Sequence, residues 1–154
     1  YLSQTNQYYK RYQIPNIEKH FGLLIEKSPY KNNNLELIRE FFFELKHELL
    51  RRIEDDQHSW FPKIKRLSAN VHSQIPDFSL TSFLKDDPDP IEEKLNDLKS
   101  LFVLHLTGKY DLNLCYGVIF AIFSLEKDIK QNNRIRNRIL KPLYHLLQSA
   151  QFSN

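Results

Sequence analysis

The chain has 154 residues, of which 41% are hydrophobic and 27% are charged, values ordinary for one globular domain. Glycine is rare and β-branched runs are short, which favours helices over sheets. The net charge of +3 permits an acidic partner but does not demand one. The sequence contains no run of about 18 apolar residues, so we expect no membrane-spanning helix. A single cysteine, Cys115, cannot form an internal disulfide, which is typical of a cytoplasmic protein. Because the chain begins at Tyr1 rather than methionine, we expect it to be part of a longer protein.

Helical periodicity begins near the start of the chain and predicts a first helix over residues 2–27. Its apolar residues recur at steps of three and four, and they are Ile14, Ile17, Phe21, Leu24 and Ile25. Pro15 is expected to kink this helix or to begin its second part. Residues 28–34, which contain Pro29 and three asparagines, predict a loop.

A second helix is predicted over residues 35–68 and is interrupted late by Pro62. Its apolar stripe consists of Ile38, Phe42, Leu45 and Leu49. Residues 70–89 predict a loop that holds two prolines and the acidic pair Asp86 and Asp87. That loop is longer than helix connections usually are, and it is long enough to form a lid.

The third helix is expected to start near Pro90, a residue suited to a first helical turn, and to end at residues 107–109. Its inward stripe comprises Ile91, Leu95, Leu98 and Phe102. A fourth helix is predicted over residues 112–148, with Ile122, Leu125, Ile129, Ile139 and Leu143 facing inward. Four such helices predict a single all-α domain, an up-down-up-down bundle.

Polar residues interrupt the inward stripes of both long helices. Continuing the second stripe by the same steps reaches Arg52 and Asp56, and continuing the fourth reaches Asn132 and Arg136. Residues four apart share one helix face, so each helix would carry a polar pair toward the core. The alternative is that the stripes drift outward and these residues meet water, where charged side chains usually lie.

The same positions resemble the metal-ligand positions of the hemerythrin-like, iron–sulfur cluster repair family. The last helix of that family is typically D-L-x-x-H-x-x-x-E-N-x-I-L-x-P, and residues 128–142 here are DIKQNNRIRNRILKP. The second helix of the family resembles H-x-x-x-E-E-x-x-x-F-P, and residues 52–62 here are RIEDDQHSWFP. Further similarity lies in residues 1–9, with 14–18, and in residues 88–95. The likeness covers nearly the whole chain.

The resemblance implies a di-iron bundle whose ligands have been replaced. The positions that carry ligands in the family are occupied by Asn6, Arg52, Asp56, Pro88, Asn132 and Arg136. Iron in such sites needs imidazole and carboxylate donors, whereas arginine offers no acceptor. We therefore expect no metal and no cofactor. One or both arginines are expected to point inward and to bridge Asp56 with Asn132 or Asn6, and Arg52 can reach Asp56 along its own helix.

These expectations favour a regulatory, sensory or protein-interaction domain that is not an enzyme. A version of the family that is common in Bacteroidetes is often joined to a LuxR-type helix-turn-helix, which implies a transcriptional regulator that binds DNA only through a separate domain. Partners would be other domains of the same chain, another protein or a second copy. The alternative is a working di-iron protein that repairs iron–sulfur clusters or responds to nitric oxide or oxygen.

Overall fold

A computed structural model describes residues 1–28, 33–70, 89–105 and 110–152. Within these ranges the chain forms four long helical stretches and no β-strand, as the composition predicts. Helix α1 covers residues 2–27, α2 covers residues 33–70, α3 is Pro90–His105 and α4 covers residues 112–152. The predicted all-helical class is therefore confirmed. Most of the predicted loop before Pro90 and the end predicted for α3 at residues 107–109 lie outside the described residues.

Three of the four helices contain one wider, π-helical turn between two α-helical parts. Helix α1 runs as Leu2–Tyr8, the π turn Tyr9–Gln13, and Ile14–Lys27. Helix α2 runs as Asn33–Asp55, the π turn Asp56–Trp60, and Phe61–Asn70. Helix α4 runs as Leu112–Ile135, the π turn Arg136–Leu140, and Lys141–Phe152. Helix α3 is α-helical throughout.

Each π turn is placed by a proline. Pro15, Pro62 and Pro142 each follow the first residue of a π turn by six positions. A proline ring clashes with the carbonyl four residues earlier in an α-helix, and a wider turn removes that clash. In each case the residue before the proline donates its amide to the carbonyl five residues back: Ile14 to Tyr9, Phe61 to Asp56, and Lys141 to Arg136. Pro15 thus begins the second part of α1, as predicted.

The main core lies between all four helices. Helix α1 packs against α4 and α2, and α3 packs against α2 and α4. Phe21 is central, with its ring centroid 5.5 Å from that of Phe42 and 6.0 Å from that of Phe102. The stripes predicted for α2 and α3 are buried in full, and so are Ile14, Ile17, Phe21 and Leu24 of α1.

A second, smaller apolar cluster lies between the last parts of α2 and α4, Phe61–Asn70 and Lys141–Phe152. We call this pair of segments the two-helix arm. Ile64, Leu67 and Leu147 form its centre. These three side chains are 8%, 8% and 5% exposed, whereas most main-core residues are 2% exposed or less. The arm is therefore the more thinly packed part of the fold.

Two sequence predictions were wrong at the level of single turns. Asn33 and Asn34 belong to the first turn of α2 rather than to the preceding loop. Ile139 is 61% exposed rather than inward, because the π turn adds one residue and rotates the following stripe. Leu140, one position later, packs into the arm instead.

Candidate functional site

The most deeply buried charge is the carboxylate of Asp56, the first residue of the π turn in α2. Arg136 of α4 grips it with a planar fork, donating from Nη1 to Oδ2 at 2.5 Å and from Nη2 to Oδ1 at 2.8 Å. Asn6 of α1 donates from Nδ2 to Oδ2 at 3.0 Å. We call Asp56 and Arg136 the inner pair. It ties three helices together through charge-assisted hydrogen bonds, the stronger class of such bonds.

The ring of Trp60 packs against the guanidinium of the inner pair. The guanidinium carbon of Arg136 lies 4.9 Å from the centroid of the Trp60 ring, within the range for a cation–π contact. Trp60 ends the same π turn that Asp56 begins, so one turn supplies both the carboxylate and the aromatic face. Arg136 therefore has its charge and its flat surface satisfied together.

A second carboxylate, Asp89, lies just before α3 and binds Arg52. Nη1 of Arg52 donates to Asp89 Oδ2 at 3.0 Å, and Nη2 donates to Oδ1. Asn133 of α4 donates to Asp89 and accepts from Arg52 at 3.1 Å. Asp89 also caps α3, accepting from the amide of Ile91 at 3.1 Å. We call Asp89 and Arg52 the outer pair.

The pKa of Asp89 lies below its ordinary value. Burial alone would raise that pKa, but the hydrogen bonds and the charge of Arg52, with further hydrogen bonds from the Ile91 amide and Asn133, outweigh burial and lower it. The carboxylate is therefore ionised at neutral pH. Asp89 acts both as the counter-ion of Arg52 and as the start of α3.

Tyr9 and Asn132 link α1 to α4 beside the two pairs. Nδ2 of Asn132 donates to the Tyr9 hydroxyl oxygen at 2.5 Å, and both residues are buried. Burial first, and then the negative charge of Asp128, raise the pKa of the Tyr9 phenol, which therefore stays protonated. Gln13, one turn further along α1, donates to Asp128 at 2.8 Å.

A small cavity of about 10 Å³ lies between the inner and outer pairs. Its polar lining residues are Asn6, Tyr9, Arg52, Asn132, Asn133 and Arg136. Within the described residues, the buried Oδ1 of Asn132 has no hydrogen-bond partner. A volume of this size admits about one water molecule.

The residues present do not fit a di-iron centre. Two metal ions of such a centre lie about 3.5–4 Å apart and need several carboxylate and imidazole ligands. Both oxygens of Asp56 accept from Arg136, and the cavity holds about one water. Among the described residues, no group of three or more His, Cys, Asp or Glu side chains is placed to hold a metal ion.

The structure brings together five of the six residues singled out from the sequence. Asn6, Arg52, Asn132 and Arg136 line the cavity, and Asp56 is bonded to two of them. The sixth, Pro88, lies outside the described residues. Arg136 points inward and binds Asp56, as predicted, but it is joined to Asn6 through Asp56, which accepts from both Arg136 and Asn6.

The expectation that Arg52 forms an ion pair with Asp56 on its own helix was wrong, because Arg52 binds Asp89 instead. Sequence reasoning missed Asp89, Asn133 and the role of Tyr9. One signal was available for Asp89: an aspartate directly before a proline that opens a helix is a preferred N-cap. The periodicity of α4 marked Asn132 but not its neighbour Asn133, which is also buried.

An open groove of about 690 Å³ lies near the inner pair, because its lining residue Gln57 directly follows Asp56 in the chain. It lies between the start of α1 and the two-helix arm, and it is lined by Tyr1, Leu2, Ser3, Gln57, Phe61, Pro62, Ile64, Lys65 and Leu140. Its volume is in the range of small-molecule sites. The groove is far larger than the cavity of about 10 Å³ between the two pairs.

Cys115 has the surroundings of a structural thiol. It is 5% exposed and unpaired, and burial, with a smaller contribution from Asp111, raises its pKa. Nucleophilic cysteines have a lowered pKa and are accessible, so Cys115 does not match that pattern.

Neither the sequence nor the fold of the described residues could be matched to a known protein. No helix within the described ranges combines the length and the apolar character needed to cross a lipid bilayer. No protein-family model, no curated protein and no solved structure matches the chain.

Proposed function

We propose that this chain is a metal-free relative of the hemerythrin-like bundles and acts as a regulatory, sensory or protein-interaction domain. In this proposal it is not an enzyme, it works in the cytoplasm, and it belongs to a transcriptional regulator of the LuxR type whose DNA-binding part is a separate domain. The observation that carries the proposal is the grip of Arg136 on both oxygens of Asp56. A guanidinium supplies there the positive charge that a metal ion supplies in the family.

Contacts between neighbouring helices support the up-down-up-down arrangement that the proposal requires. Asn6 is hydrogen-bonded to Asp56, and Glu18 is paired with Lys46. Residue numbers therefore increase along α1 where they decrease along α2, as in antiparallel helices. The pair Arg52–Asp89 and the pair Glu48–Lys94 show the same reversal between α2 and α3.

The third junction shows the same reversal. Asp89 meets Asn133, and Lys99 meets Glu126 at 2.6 Å, so α3 and α4 also run in opposite directions. Antiparallel neighbours joined in sequence are the pattern of hemerythrin-like bundles.

The convergence of four residues on one cavity supports the family relationship. Asn6 comes from α1, Arg52 from α2, and Asn132 and Arg136 from α4, yet all line the same 10 Å³ space. The resemblance assigns a metal ligand to each of these positions. Unrelated surface positions would not meet in the core of a bundle.

Metal content separates this proposal from the alternative of a working di-iron protein. The purified chain, produced in iron-rich medium, is expected to contain well under one iron atom per chain by plasma mass spectrometry. About two iron atoms per chain would overturn the proposal and favour the repair or gas-response function.

A variant with restored ligands sharpens the same test. We expect the combined changes Asn6→His, Arg52→His, Pro88→His, Asn132→His and Arg136→Glu to create a site with Asp56 that binds iron or cobalt, seen by its absorption spectrum. The matched control carries the same substitutions together with Asp56→Ala and should bind less metal. Failure of a folded five-site variant to bind any metal would count against the family relationship.

The proposed regulatory role can be tested in the part of the gene that lies outside this bundle. A helix-turn-helix segment encoded in the same gene is expected, and its absence would leave only the protein-interaction role. The groove of about 690 Å³ beside the inner pair is the place where a sensed ligand would bind. Substituting Lys65→Glu, at an exposed position that lines the groove, should weaken the response to such a ligand.

A further inference from the structure

The first third of α4 is apolar on both of its faces. Residues 112–125, LNLCYGVIFAIFSL, contain no charged side chain. Cys115, Val118, Ile122 and Leu125 form the face that is buried in the bundle. A helix that is apolar all round is normally covered on all sides, so the outer face needs an explanation.

That outer face exposes a continuous stripe of large side chains. Leu112 is 66% exposed, Tyr116 50%, Phe120 67% and Phe123 44%, and their spacing of four, four and three places them along one line. Val103 of α3, 65% exposed, joins Ile119 and Phe123 across a shallow depression. We call the five exposed side chains the α4 stripe: Leu112, Tyr116, Phe120 and Phe123 of α4, with Val103 of α3.

Cations lie over several aromatic rings at the surface. Arg39 and Lys46 lie over Phe43 at 5.3 and 5.9 Å, and Lys94 lies over Phe41 at 5.9 Å. In the α4 stripe, Lys99 of α3 lies over Phe123 at 5.5 Å. Tyr116 and Phe120 contact one another with centroids 6.3 Å apart, and they remain 50% and 67% exposed.

We propose that the α4 stripe is a dimer interface, formed by two copies of this chain related by a two-fold axis, with their α4 helices antiparallel. In that arrangement Phe120 lies against Ile119 of the second copy, and Tyr116 lies against the second copy's Phe123. Both contacts, 119 with 120 and 116 with 123, have their midpoint between residues 119 and 120. A single two-fold axis through that point therefore produces both contacts. A two-fold interface of this kind requires a self-complementary patch.

Charge at the two ends of the stripe supports a second copy as the occupant. Asp111 lies directly before Leu112, and Lys127 follows Phe123 by one turn, and both are exposed. Antiparallel pairing brings Asp111 of each copy close to Lys127 of the other. Residues 112–125 carry no charge, and Glu126 pairs with Lys99 and Lys130 of its own chain, so opposite charges meet at both ends.

The stripe supplies more than half of the area that a dimer interface needs. Large aromatic side chains offer about 150–250 Å² each, so five residues at these exposures present roughly 500 Å². A standard interface buries about 800 Å² on each partner, and the rim residues of α3 and α4 can supply the remainder. The whole contact, over residues 112–127, extends about 24 Å along the helix.

Solution mass tests the proposal. Light scattering after gel filtration, at chain concentrations from 1 to 100 μM, is expected to show a dimer with a dissociation constant in the micromolar range or tighter. Phe120→Glu should weaken association at least 100-fold, whereas Leu37→Glu, at a 61% exposed position on α2, should leave it unchanged. Both substitutions replace exposed residues, so helix content and melting temperature should stay close to those of the wild type.

The charge pair distinguishes antiparallel self-association from any other occupant. Lys127→Glu is expected to weaken the dimer about tenfold, since it would place two carboxylates together. Adding Asp111→Asn, which keeps an N-cap residue at the start of α4, should recover most of that loss. A chain that stays monomeric at 100 μM, or a dimer insensitive to Phe120→Glu, would overturn the proposal. These outcomes do not depend on metal content, so this inference and the proposed function fail separately.

Discussion

The inner and outer pairs have the same chemistry, an arginine fork on an aspartate, but different surroundings. In the inner pair the side chains of Arg136 and Asp56 are 15% and 3% exposed; in the outer pair those of Arg52 and Asp89 are 23% and 8% exposed. Among the described residues, Asp56 accepts from the side chains of Arg136 and Asn6, whereas Asp89 also accepts from the backbone amide of Ile91. The inner carboxylate is therefore stabilised there by side chains, while the outer one combines ion pairing with helix capping.

The largest difference between the pairs is expected for removal of the carboxylate. Asp56→Ala leaves the guanidinium of Arg136 half-buried beside Trp60 without its counter-ion. Breaking a buried pair costs about 3–5 kcal/mol, and we expect a loss in that range in urea unfolding. A loss below about 1 kcal/mol, the value typical of exposed pairs, would show that Asp56 behaves as a surface residue.

Asp89→Ala is expected to destabilise the fold less. It removes the N-cap of α3 and the partner of Arg52, which is near enough to the surface to be hydrated. We expect a loss of about 1–3 kcal/mol in the same measurement. Asp89→Ser separates the two contributions, because serine keeps the cap but not the charge. If Asp89→Ala costs as much as Asp56→Ala, the contrast between the pairs is wrong.

Acid should affect the outer pair through the lowered pKa of Asp89. The folded chain then binds fewer protons than the unfolded chain, so this contribution to stability is present above the ordinary pKa of 3.8 and is lost as pH falls through the lower folded value. The free-energy difference between wild type and Asp89→Asn should shrink as pH is lowered from 5 toward 2. A constant difference over that interval would contradict the lowered pKa.

The smallest effect should come from the aromatic face of the inner pair. Trp60 is the only tryptophan in the chain, so its fluorescence reports on Arg136 directly. Arg136→Lys keeps the charge but loses the planar fork, and it should shift the Trp60 emission, whereas Arg52→Lys should not. Replacing Trp60 by leucine removes a cation–π contact worth about 0.5–1 kcal/mol at such sites. Equal emission spectra for both lysine variants would place Arg136 away from the ring.

Helical periodicity predicted much of the fold and part of the site. The stripes of α2 and α3 were right because each is one uninterrupted α-helical segment as far as its core contacts extend. Arg52, Asp56, Asn132 and Arg136 were found because polar residues on an inward stripe are rare, whereas Asn6 was found only through the family resemblance.

Other features depend on information that a 3.6-residue period does not contain. Ile139 was misplaced because the extra residue of the π turn changes the phase of α4 after Arg136. The partner of Arg52 was missed because Asp89 lies beyond a long connection. Its position is set by the packing of α3 against α2, which no local pattern encodes.

The π turns also divide the helices into units that can open separately. A proline has no amide hydrogen, so the backbone ladders of α1, α2 and α4 are each interrupted near the polar centre. Amide hydrogens of the two-helix arm should therefore exchange with deuterium through openings that leave the main core closed, while those beside Phe21 and Phe42 should exchange only on global unfolding. If the arm opens before the main core, the polar centre lies at the boundary between the two, and a ligand bound at the arm would affect the core through it.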